Sequence, residues 1–194
     1  MKKIVFALTA LFATFGAAQA QTAEPAVAPV RFLVGMGLSG GGDKLASAKY
    51  TDGSTISLHG GGLIYFTGGL DYRVTPEFSL QGTVNFHVDQ AAGKNGDIQF
   101  RRFPVELIGY YQFDPKWRAG AGVRYTISPE LSSSGVVSGM DVSFDNSVGA
   151  IIEGEYFVNP KMGIKLRYVK ETLKSKGYGD VDGSHVGMSA NFYF

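Results

Sequence analysis

The chain contains three histidines, and histidine is the residue type most often used for metal binding or proton transfer. His59, His87 and His185 lie on three different predicted strands, with side chains expected on the same face, so they could ligate a metal ion or relay a proton. Polar packing inside a protein is the commoner role of such histidines, and we expect no metal and no cofactor. The chain has no cysteine, which excludes disulfides, thiolate catalysis and cysteine metal ligands.

Two short motifs resemble parts of known sites. GDVDG at 179–183 places two carboxylates two residues apart, as a calcium loop does, but without that loop's further oxygen ligands and closing glutamate. HGGG at 59–62 is similar to an esterase oxyanion segment. We interpret the first motif as an Asp/Gly turn and the second as glycines that bend a strand. No catalytic residue is therefore assigned.

Charged residues of both signs alternate with apolar residues in the predicted strands and form the largest candidate site. An eight-stranded barrel has an interior that side chains fill, so these charges are expected to pair. A gated ion or proton path and a structural plug both remain open, and the plug is favoured because buried charges need partners in any lumen. Arg124 and Glu153, on strands predicted to be adjacent, are the first pair to test, and their heights in the barrel stay open. The predicted lumen network comprises Arg31, Asp71, Arg73, Arg102, Glu106, Arg118, Arg124, Asp145, Glu153, Glu155, Lys165, Arg167 and Glu171.

Three turn motifs with a shared pattern delimit the strands. VTPEF (74–78), FDPKW (113–117) and VNPKM (158–162) each combine an apolar residue, a short polar residue, proline, a charged residue and an apolar residue. Asp-Pro and Asn-Pro pairs favour tight reversals. The prolines are 39 and 45 residues apart, which suits two strands plus a longer connection. The repeat predicts an up-and-down meander with its tight turns at one end.

Between the turns, apolar and polar residues alternate with period two. From Phe78 to Val88 every second residue is apolar or glycine, and the same holds from Trp117 to Ile127. This pattern is typical of strands with one apolar and one polar face. We count eight such strands, an even number as in bacterial barrels. The predicted strands cover residues 30–39, 56–74, 78–88, 98–113, 117–128, 144–158, 162–169 and 184–194.

One predicted strand changes phase. Ile98 and Phe100 share one parity, whereas Phe103 and the apolar residues after it have the other. A β-bulge near Arg101 would restore a single apolar face, and Pro104 is better tolerated beside such an irregularity than in a regular central strand.

The first twenty residues have the organisation of a secretory signal peptide. A charged start and an apolar run end in the small-residue cleavage site Ala18 to Ala20. We therefore predict a signal peptide at 1–20, an N-terminal lead-in at 21–29 and a barrel at 30–194. Without the signal the chain has 16 basic and 17 acidic residues, a net charge of −1, which gives no reason to expect nucleic acid.

Two features indicate that the apolar face of the strands is outside. All seven arginines lie in predicted strands, and arginine is the better residue for enclosed ion pairs. In-phase aromatics recur eight residues apart, Phe78 with Phe86 and Trp117 with Tyr125, which is roughly 20 Å along tilted strands and near the separation of two membrane interfaces. The sequence therefore predicts an all-β, eight-stranded antiparallel up-and-down transmembrane β-barrel. A soluble barrel with an aromatic core is the alternative.

The last residues carry a family signature. Val186, Met188, Ala190, Phe192 and Phe194 share one parity, and the sequence ends on an aromatic residue. This pattern resembles the C-terminal insertion signal of bacterial outer-membrane barrels. Together with the signal peptide, strands and turns, it makes the chain similar to the small eight-stranded outer-membrane β-barrel superfamily, which includes the OmpA transmembrane domain, OmpX and OmpW.

The resemblance implies a location, a topology and partners. The protein would lie in the outer membrane of a Gram-negative bacterium, with its tight turns and both termini in the periplasm. Its partners would be outer-membrane lipid, lipopolysaccharide and the barrel insertion machinery, and not nucleic acid. Four extracellular loops, expected to be mobile, would be free to meet a surface partner. These loops cover residues 40–55, 89–97, 129–141 and 174–183.

Three functions remain open on the sequence alone. The resemblance to OmpX and OmpA implies a non-enzymatic barrel with a packed polar lumen, which serves envelope integrity and surface interaction through its loops. An OmpW-like narrow channel or transporter for small apolar molecules would need an apolar inner pocket open to the side. Few bulky apolar residues have the inward parity for it. A lipid A modifying enzyme is least favoured, because no histidine has outward parity. The inward apolar residues are Leu33, Leu63, Tyr65, Ile108, Tyr110 and Ile151.

Overall fold

A computed structural model describes residues 29–49, 55–93, 96–135, 139, 141–175 and 179–194. The predicted signal peptide and all of the lead-in except Pro29 lie outside these residues. Within them, no helix is long and apolar enough to span a bilayer.

The described residues form thirteen strands. Eight of them, β1, β4, β5, β6, β7, β9, β10 and β13, build the barrel wall, and the others are short strands at one end. The strands are β1 (Val30–Gly40), β2 (Lys44–Lys49), β3 (Thr55–His59), β4 (Leu63–Arg73), β5 (Phe78–Gly93), β6 (Gly96–Asp114), β7 (Trp117–Ser133), β8 (Val142–Ser143), β9 (Ser147–Asn159), β10 (Met162–Lys170), β11 (Thr172–Ser175), β12 (Gly179–Asp182) and β13 (His185–Tyr193).

The eight wall strands close into a barrel in which every neighbour is antiparallel. The order β6-β5-β4-β1-β13-β10-β9-β7 is closed by the pairing of β6 with β7. The first and last wall strands pair with each other. Phe32 and Phe194 extend that pairing by exchanging backbone hydrogen bonds of 3.2 and 2.9 Å. The predicted up-and-down barrel of eight strands is confirmed, and a closed sheet leaves no unpaired edge.

The three repeated motifs form the tight turns, and all lie at one end of the barrel, which we call the turn end. Asp114 and Asn159 stabilise two of them, because each side chain accepts a hydrogen bond from the backbone N–H two residues later, at 2.8 and 2.9 Å. In the third, Thr75 Oγ1 accepts from the backbone N–H of Phe78 at 3.0 Å. The opposite end, which carries the short strands, is the hairpin end.

The outer surface of the wall is apolar. Residues of the apolar parity, such as Phe32, Val84, Val148 and Leu166, are more than half exposed. A surface of this kind needs an apolar surrounding. Aromatic pairs lie toward both ends of it: Trp117 with Tyr156 at 4.8 Å between ring centroids, Phe78 with Tyr111 at 5.0 Å, and Phe86 with Phe103 at 5.1 Å.

The predicted change of phase lies on a different strand from the one expected. Pairing between β6 and β7 shifts between Arg101 and Phe103, but the inward parity of β6 continues unchanged through this point. The extra residue is in β7, where Ser128 adopts a φ of 49° and Pro129 turns inward. The irregularity expected near Arg101 is confirmed, whereas the expectation that it resets the phase of β6 was wrong.

A folded cap covers the hairpin end, where the sequence predicted mobile loops. β5, β6 and β7 run beyond their predicted ends, and the predicted strand 56–74 is two strands, of which β3 pairs with β2 and leaves the wall. β11 and β12 form a second hairpin, and β8 extends the sheet beside β7. These elements surround an apolar cluster, so the described parts of the predicted loops are packed. The cluster comprises Leu45, Ala46, Leu58, Ile98, Phe100, Leu131, Phe144, Leu173 and Val181.

Candidate functional site in the barrel lumen

The inward face of the wall strands brings eleven of the thirteen predicted charged residues into one interior. Period-two alternation places each of them on the lumen side, where every one forms an ion pair with another member. Two predicted members lie elsewhere. Asp145 is exposed in the connection between β8 and β9, and Arg73 is partly exposed at the turn end without an ion pair to any described residue.

The layer nearest the turn end is built around Arg118. Its Nη1 donates to Asp71 Oδ1 at 2.9 Å, its Nε to Glu155 Oε2 at 2.7 Å and its Nη2 to the Tyr193 hydroxyl at 2.8 Å. The Tyr193 hydroxyl donates onward to Glu155 Oε1 at 2.6 Å. Arg31 Nη2 contacts the second oxygen of Asp71 at 2.6 Å. Two arginines and two carboxylates thus neutralise one another across the lumen.

The middle layer is centred on Lys165. Its ammonium donates to Gln81 Oε1 at 2.5 Å, to the Tyr110 hydroxyl at 2.6 Å and to Glu153 Oε1 at 3.0 Å, so all three of its donors are used. The Tyr110 hydroxyl also donates to Glu153. The guanidinium of Arg118 lies 4.0 Å from the Tyr110 ring centroid, and this cation–π contact joins the two layers.

Arg167 links the middle layer to the layer above. Its Nη2 contacts Glu106 Oε2 at 2.7 Å, and its Nε donates to Glu153 Oε2 at 3.0 Å. Glu106 also accepts a hydrogen bond from Thr83 Oγ1 at 3.2 Å and lies 3.6 Å from Arg124 Nη1. Each carboxylate here serves more than one cation, so removal of one side chain would affect several contacts.

The layer at the hairpin end holds two arginines, two histidines and one glutamate. Arg102 Nη1 and Arg124 Nε each lie 3.6 Å from Glu171 Oε2. Arg124 also contacts His185 Nε2 at 3.2 Å and His87 Nε2 at 3.4 Å. These ion pairs are longer than those nearer the turn end. This layer is therefore the less tightly bonded part of the network.

The three histidines do not come together as a ligand set. The His87 and His185 rings are 5.9 Å apart, and both contact guanidinium groups. His185 Nδ1 also lies 2.8 Å from the Gly183 carbonyl oxygen, and His87 stacks on Tyr65 at 4.8 Å. His59 lies in β3, partly exposed, outside this layer. Within the described parts of the chain, no group of three or more histidines and acidic residues could hold a metal ion.

The HGGG segment lies at the hairpin end and contacts buried side chains of the lumen. The carbonyl oxygen of Gly60 accepts from Arg102 Nη1 at 2.6 Å, and that of Gly61 accepts from Ser39 Oγ at 2.7 Å. The Gly61 N–H donates to the Gly41 carbonyl at 3.1 Å. A Cβ on Gly61 would lie 2.5 Å from the Cβ of His185. Glycine is needed here for close approach rather than for bending a strand, and the segment lies over Arg102.

Neutral polar residues complete the network, and the sequence analysis did not assign them to it, although it named Tyr110 as an inward apolar residue. Gln81, Tyr110 and Tyr193 each bridge two or more charged groups. Thr83 donates a hydrogen bond to Glu106, and Asn85 donates one to the Pro104 carbonyl on the same strand as Glu106. Their inward parity was visible in the sequence. Their role in the network was not visible, because only charged residues were selected for it. Which side chains meet also depends on the register of the strands, which the sequence does not give.

Comparisons with known proteins agree on the architecture. A family model described as "Outer membrane protein beta-barrel domain" matches residues 7–194. The crystal structure of Ail, the attachment invasion locus protein of Yersinia pestis, is similar with a TM-score of 0.57 and 11% identity, over 85% of this chain and 97% of that chain. The crystal structure of Ail in complex with the heparin analogue sucrose octasulfate is similar with a TM-score of 0.55 and 12% identity, over 85% of this chain and 97% of that chain.

A second protein has the same fold. Neisserial surface protein A, NspA, is similar with a TM-score of 0.52 and 11% identity, over 86% of this chain and 98% of that chain. Among curated proteins, none is significantly similar to this chain in sequence. At these identities the structural likenesses establish the fold.

Proposed function

Because the chain belongs to the outer membrane protein β-barrel domain family, we propose that it is a non-enzymatic barrel that stabilises the envelope and presents its cap to a surface partner. Proteins of this family sit in the outer membrane of Gram-negative bacteria. The proposal assigns the turn end to the periplasm and the cap to the cell exterior, as short turns and longer outer segments favour.

The observation that supports this function best is a continuous polar chain along the lumen. Hydrogen bonds and ion pairs lead from Asp71 through Gln81 to Lys165, Glu153 and Arg167, and from there to the layer at the hairpin end. An eight-stranded barrel has room for little beyond such side chains. A filled lumen favours a structural role over a steady pore.

A transporter for small apolar molecules is the less favoured function. The apolar residues with inward parity pack in separate groups, such as Ile108 with Tyr110 and Ile151, and Leu33 with Tyr193. Leu63 is not inside, since it is half exposed on the outer surface. The apolar cluster of the cap is likewise filled by its own side chains. None of these groups offers a lined pocket.

A hydrolytic enzyme is also disfavoured by the surroundings of its best candidate nucleophile. The stretch GLSGG at 37–41 matches the G-x-S-x-G pattern, but Ser39 is buried and its hydroxyl donates to the Gly61 carbonyl at 2.7 Å. The two histidines in the lumen, His87 and His185, contact Arg124, and within the described residues neither of them is hydrogen-bonded to Ser39. A nucleophile needs a base within hydrogen-bond reach.

The experiment that tests this function compares a strain lacking the protein with the same strain carrying it. We expect the deletion to increase sensitivity to detergents and bulky antibiotics, and the parent chain to restore resistance. Uptake of small apolar solutes should be equal in both strains. Slower uptake in the deletion strain, with unchanged resistance, would favour the transporter instead.

A further inference from the structure

Three segments of the cap, residues 41–43, 60–62 and 182–183, meet at the hairpin end, and we call this meeting point the junction. Backbone hydrogen bonds of 2.8, 2.9 and 3.1 Å join the segments. Through these bonds the β2–β3 hairpin and the β11–β12 hairpin are held together. The three bonds run from Asp43 N to Asp182 O, from Gly60 N to Asp43 O and from Gly61 N to Gly41 O.

One lumen residue, His185, contacts all three segments of the junction. Its Nδ1 lies 2.8 Å from the Gly183 carbonyl oxygen. A Cβ on Gly61 would lie 2.5 Å from the Cβ of His185, and a Cβ on Gly41 would lie 3.1 Å from its Cα, so both backbones pack directly against this residue. His185 is 2% exposed. Its side chain is therefore closed off from water while the junction is intact.

The hydrogen-bond partners of His185 fix its ring in the neutral state. A guanidinium group donates hydrogen bonds and accepts none. Because Arg124 Nη1 lies 3.2 Å from His185 Nε2, this ring nitrogen is the acceptor, and Nδ1 carries the proton that faces the Gly183 carbonyl. A second proton on the ring would set an N–H against an N–H of Arg124. It would also place two cations side by side in a site without water, which is unfavourable.

We propose that the junction is a pH-sensitive switch, with His185 as its sensor, which releases the two cap hairpins from each other when the pH falls. Opening of the junction admits water to His185, and a solvated histidine has a pKa of ~6.5. The open form then binds a proton that the closed form excludes, so a falling pH favours the open form. The switch goes beyond the function proposed above and does not depend on which end of the barrel faces the cell exterior.

The carboxylates nearest the junction do not produce the same response. Hydrogen bonds from the hydroxyl and N–H of Ser184 lower the pKa of Asp182, so it stays charged as the pH falls from 7 to 5. Burial raises the pKa of Asp89, which lies in β5 beyond the pairing with β4. Protonation of Asp89 therefore favours the closed form, the opposite sign to His185. The other titratable or charged groups around His185 and its partners are Tyr65, His87, Arg102, Glu106, Arg124, Arg167 and Glu171 in the lumen, and Asp43, His59 and Lys170 in the cap or beside it.

The test measures hydrogen exchange of the Gly61 N–H in the whole chain, in lipid nanodiscs, at pH 7 and at pH 5. The readout is the protection factor, which compares the observed rate with that of the unfolded chain at the same pH and so removes the intrinsic effect of pH. One histidine with an ordinary pKa in the open form raises the open population roughly 25-fold over this range, and a nearby cation reduces that factor. We expect the protection of Gly61 to fall by roughly 5- to 25-fold. The protection of the Phe194 N–H, which bonds to Phe32 at the seam of the wall, should stay constant.

Substitutions at the histidines identify the sensor. His185→Gln should abolish the fall, because its amide oxygen can accept from Arg124 but does not titrate. His185→Asn, whose amide can still donate to the Gly183 carbonyl, is a second variant with the same expected result. The matched control is His59→Gln in β3, where the parent side chain is partly exposed, and this variant should keep the fall. Asp89→Asn should keep or enlarge it.

Four results would overturn the proposal. The first is equal protection of Gly61 at the two pH values in the parent chain. The second is the same fall in the His185 variants as in the parent, which would assign the response to another group. The third is loss of the fall in His59→Gln, which would make His59 the sensor. The fourth is a parallel fall at Phe194, which would mean that acid loosens the whole barrel rather than the junction.

Discussion

Arg167 and Glu153 face each other as directly paired residues of β10 and β9, with Nε and Nη2 of the arginine 3.0 and 2.8 Å from one carboxylate oxygen. Both side chains are almost fully buried. In such a place the ion pair stabilises little in total, but loss of one partner leaves the other charge without compensation.

We therefore predict that Arg167→Met and Glu153→Gln each lower the free energy of unfolding by about 3–5 kcal/mol. The double variant should cost less than the sum of the two, with a coupling of about 0.5–3 kcal/mol. Urea unfolding in lipid vesicles measures this. The control pair is Arg101 and Glu130, an exposed contact of 3.7 Å, for which the coupling should stay below ~1 kcal/mol. Additive effects at Arg167 and Glu153 would contradict the network.

The pairing of these charges shows what the sequence could not supply. The sequence correctly predicted that Arg124 and Glu153 lie on adjacent strands. The register, however, sets Arg124 opposite Gly149 and Glu153 opposite Gly120, so the two side chains lie at different heights in the barrel. Arg124 instead faces Glu106 across β6 and β7. Parity follows from local alternation, whereas partners depend on the stagger of strands around the closed barrel.

Glycines of the wall separate into two classes, inward and outward, as the strand parity in the sequence predicts. Gly122 points inward, and a Cβ there would overlap the Leu107 carbonyl and lie 2.7 Å from the Ile108 Cα. Gly109, on the neighbouring strand, points outward with nothing within 4 Å. We predict that Gly122→Ala destabilises the barrel by about 1–3 kcal/mol through overpacking, while Gly109→Ala changes stability by less than ~0.5 kcal/mol. The same unfolding assay checks both, and equal effects would contradict the packed lumen.

The end of the chain combines a structural and an assembly role in our account. Phe194 exchanges backbone hydrogen bonds with Phe32 at the seam, while its side chain and that of Phe192 stay exposed on the apolar face. Substituting Phe192 and Phe194 with Ser keeps those backbone bonds. We predict a much larger fall in folded outer-membrane protein than Phe86→Ser causes, because only the terminal pair belongs to the proposed insertion signal. Immunoblots of unboiled membrane fractions measure this, and similar losses at both places would leave burial alone as the cause.

The cap is the part of the fold that sequence reasoning described least well. Its glycine, serine and aspartate residues have the composition of loops, and that composition predicted mobility. Leu45, Leu131 and Val181, all in predicted loops, instead pack into one buried cluster with residues of predicted strands such as Ile98 and Phe100. The apolar residues of this cluster are spread over several distant segments, so no local pattern reveals it. Only the closure of the barrel brings those segments together.

Ionic conductance in a planar bilayer tests the central claim, that side chains fill the lumen, most directly. We predict no steady current through the parent chain at moderate voltage, because the polar chain from Asp71 to Glu171 occupies the interior. Arg102→Ala, which removes the contact with Gly60, should give brief openings together with a lower unfolding temperature. A persistent current through the parent, raised further by Arg102→Ala without loss of thermal stability, would contradict the account.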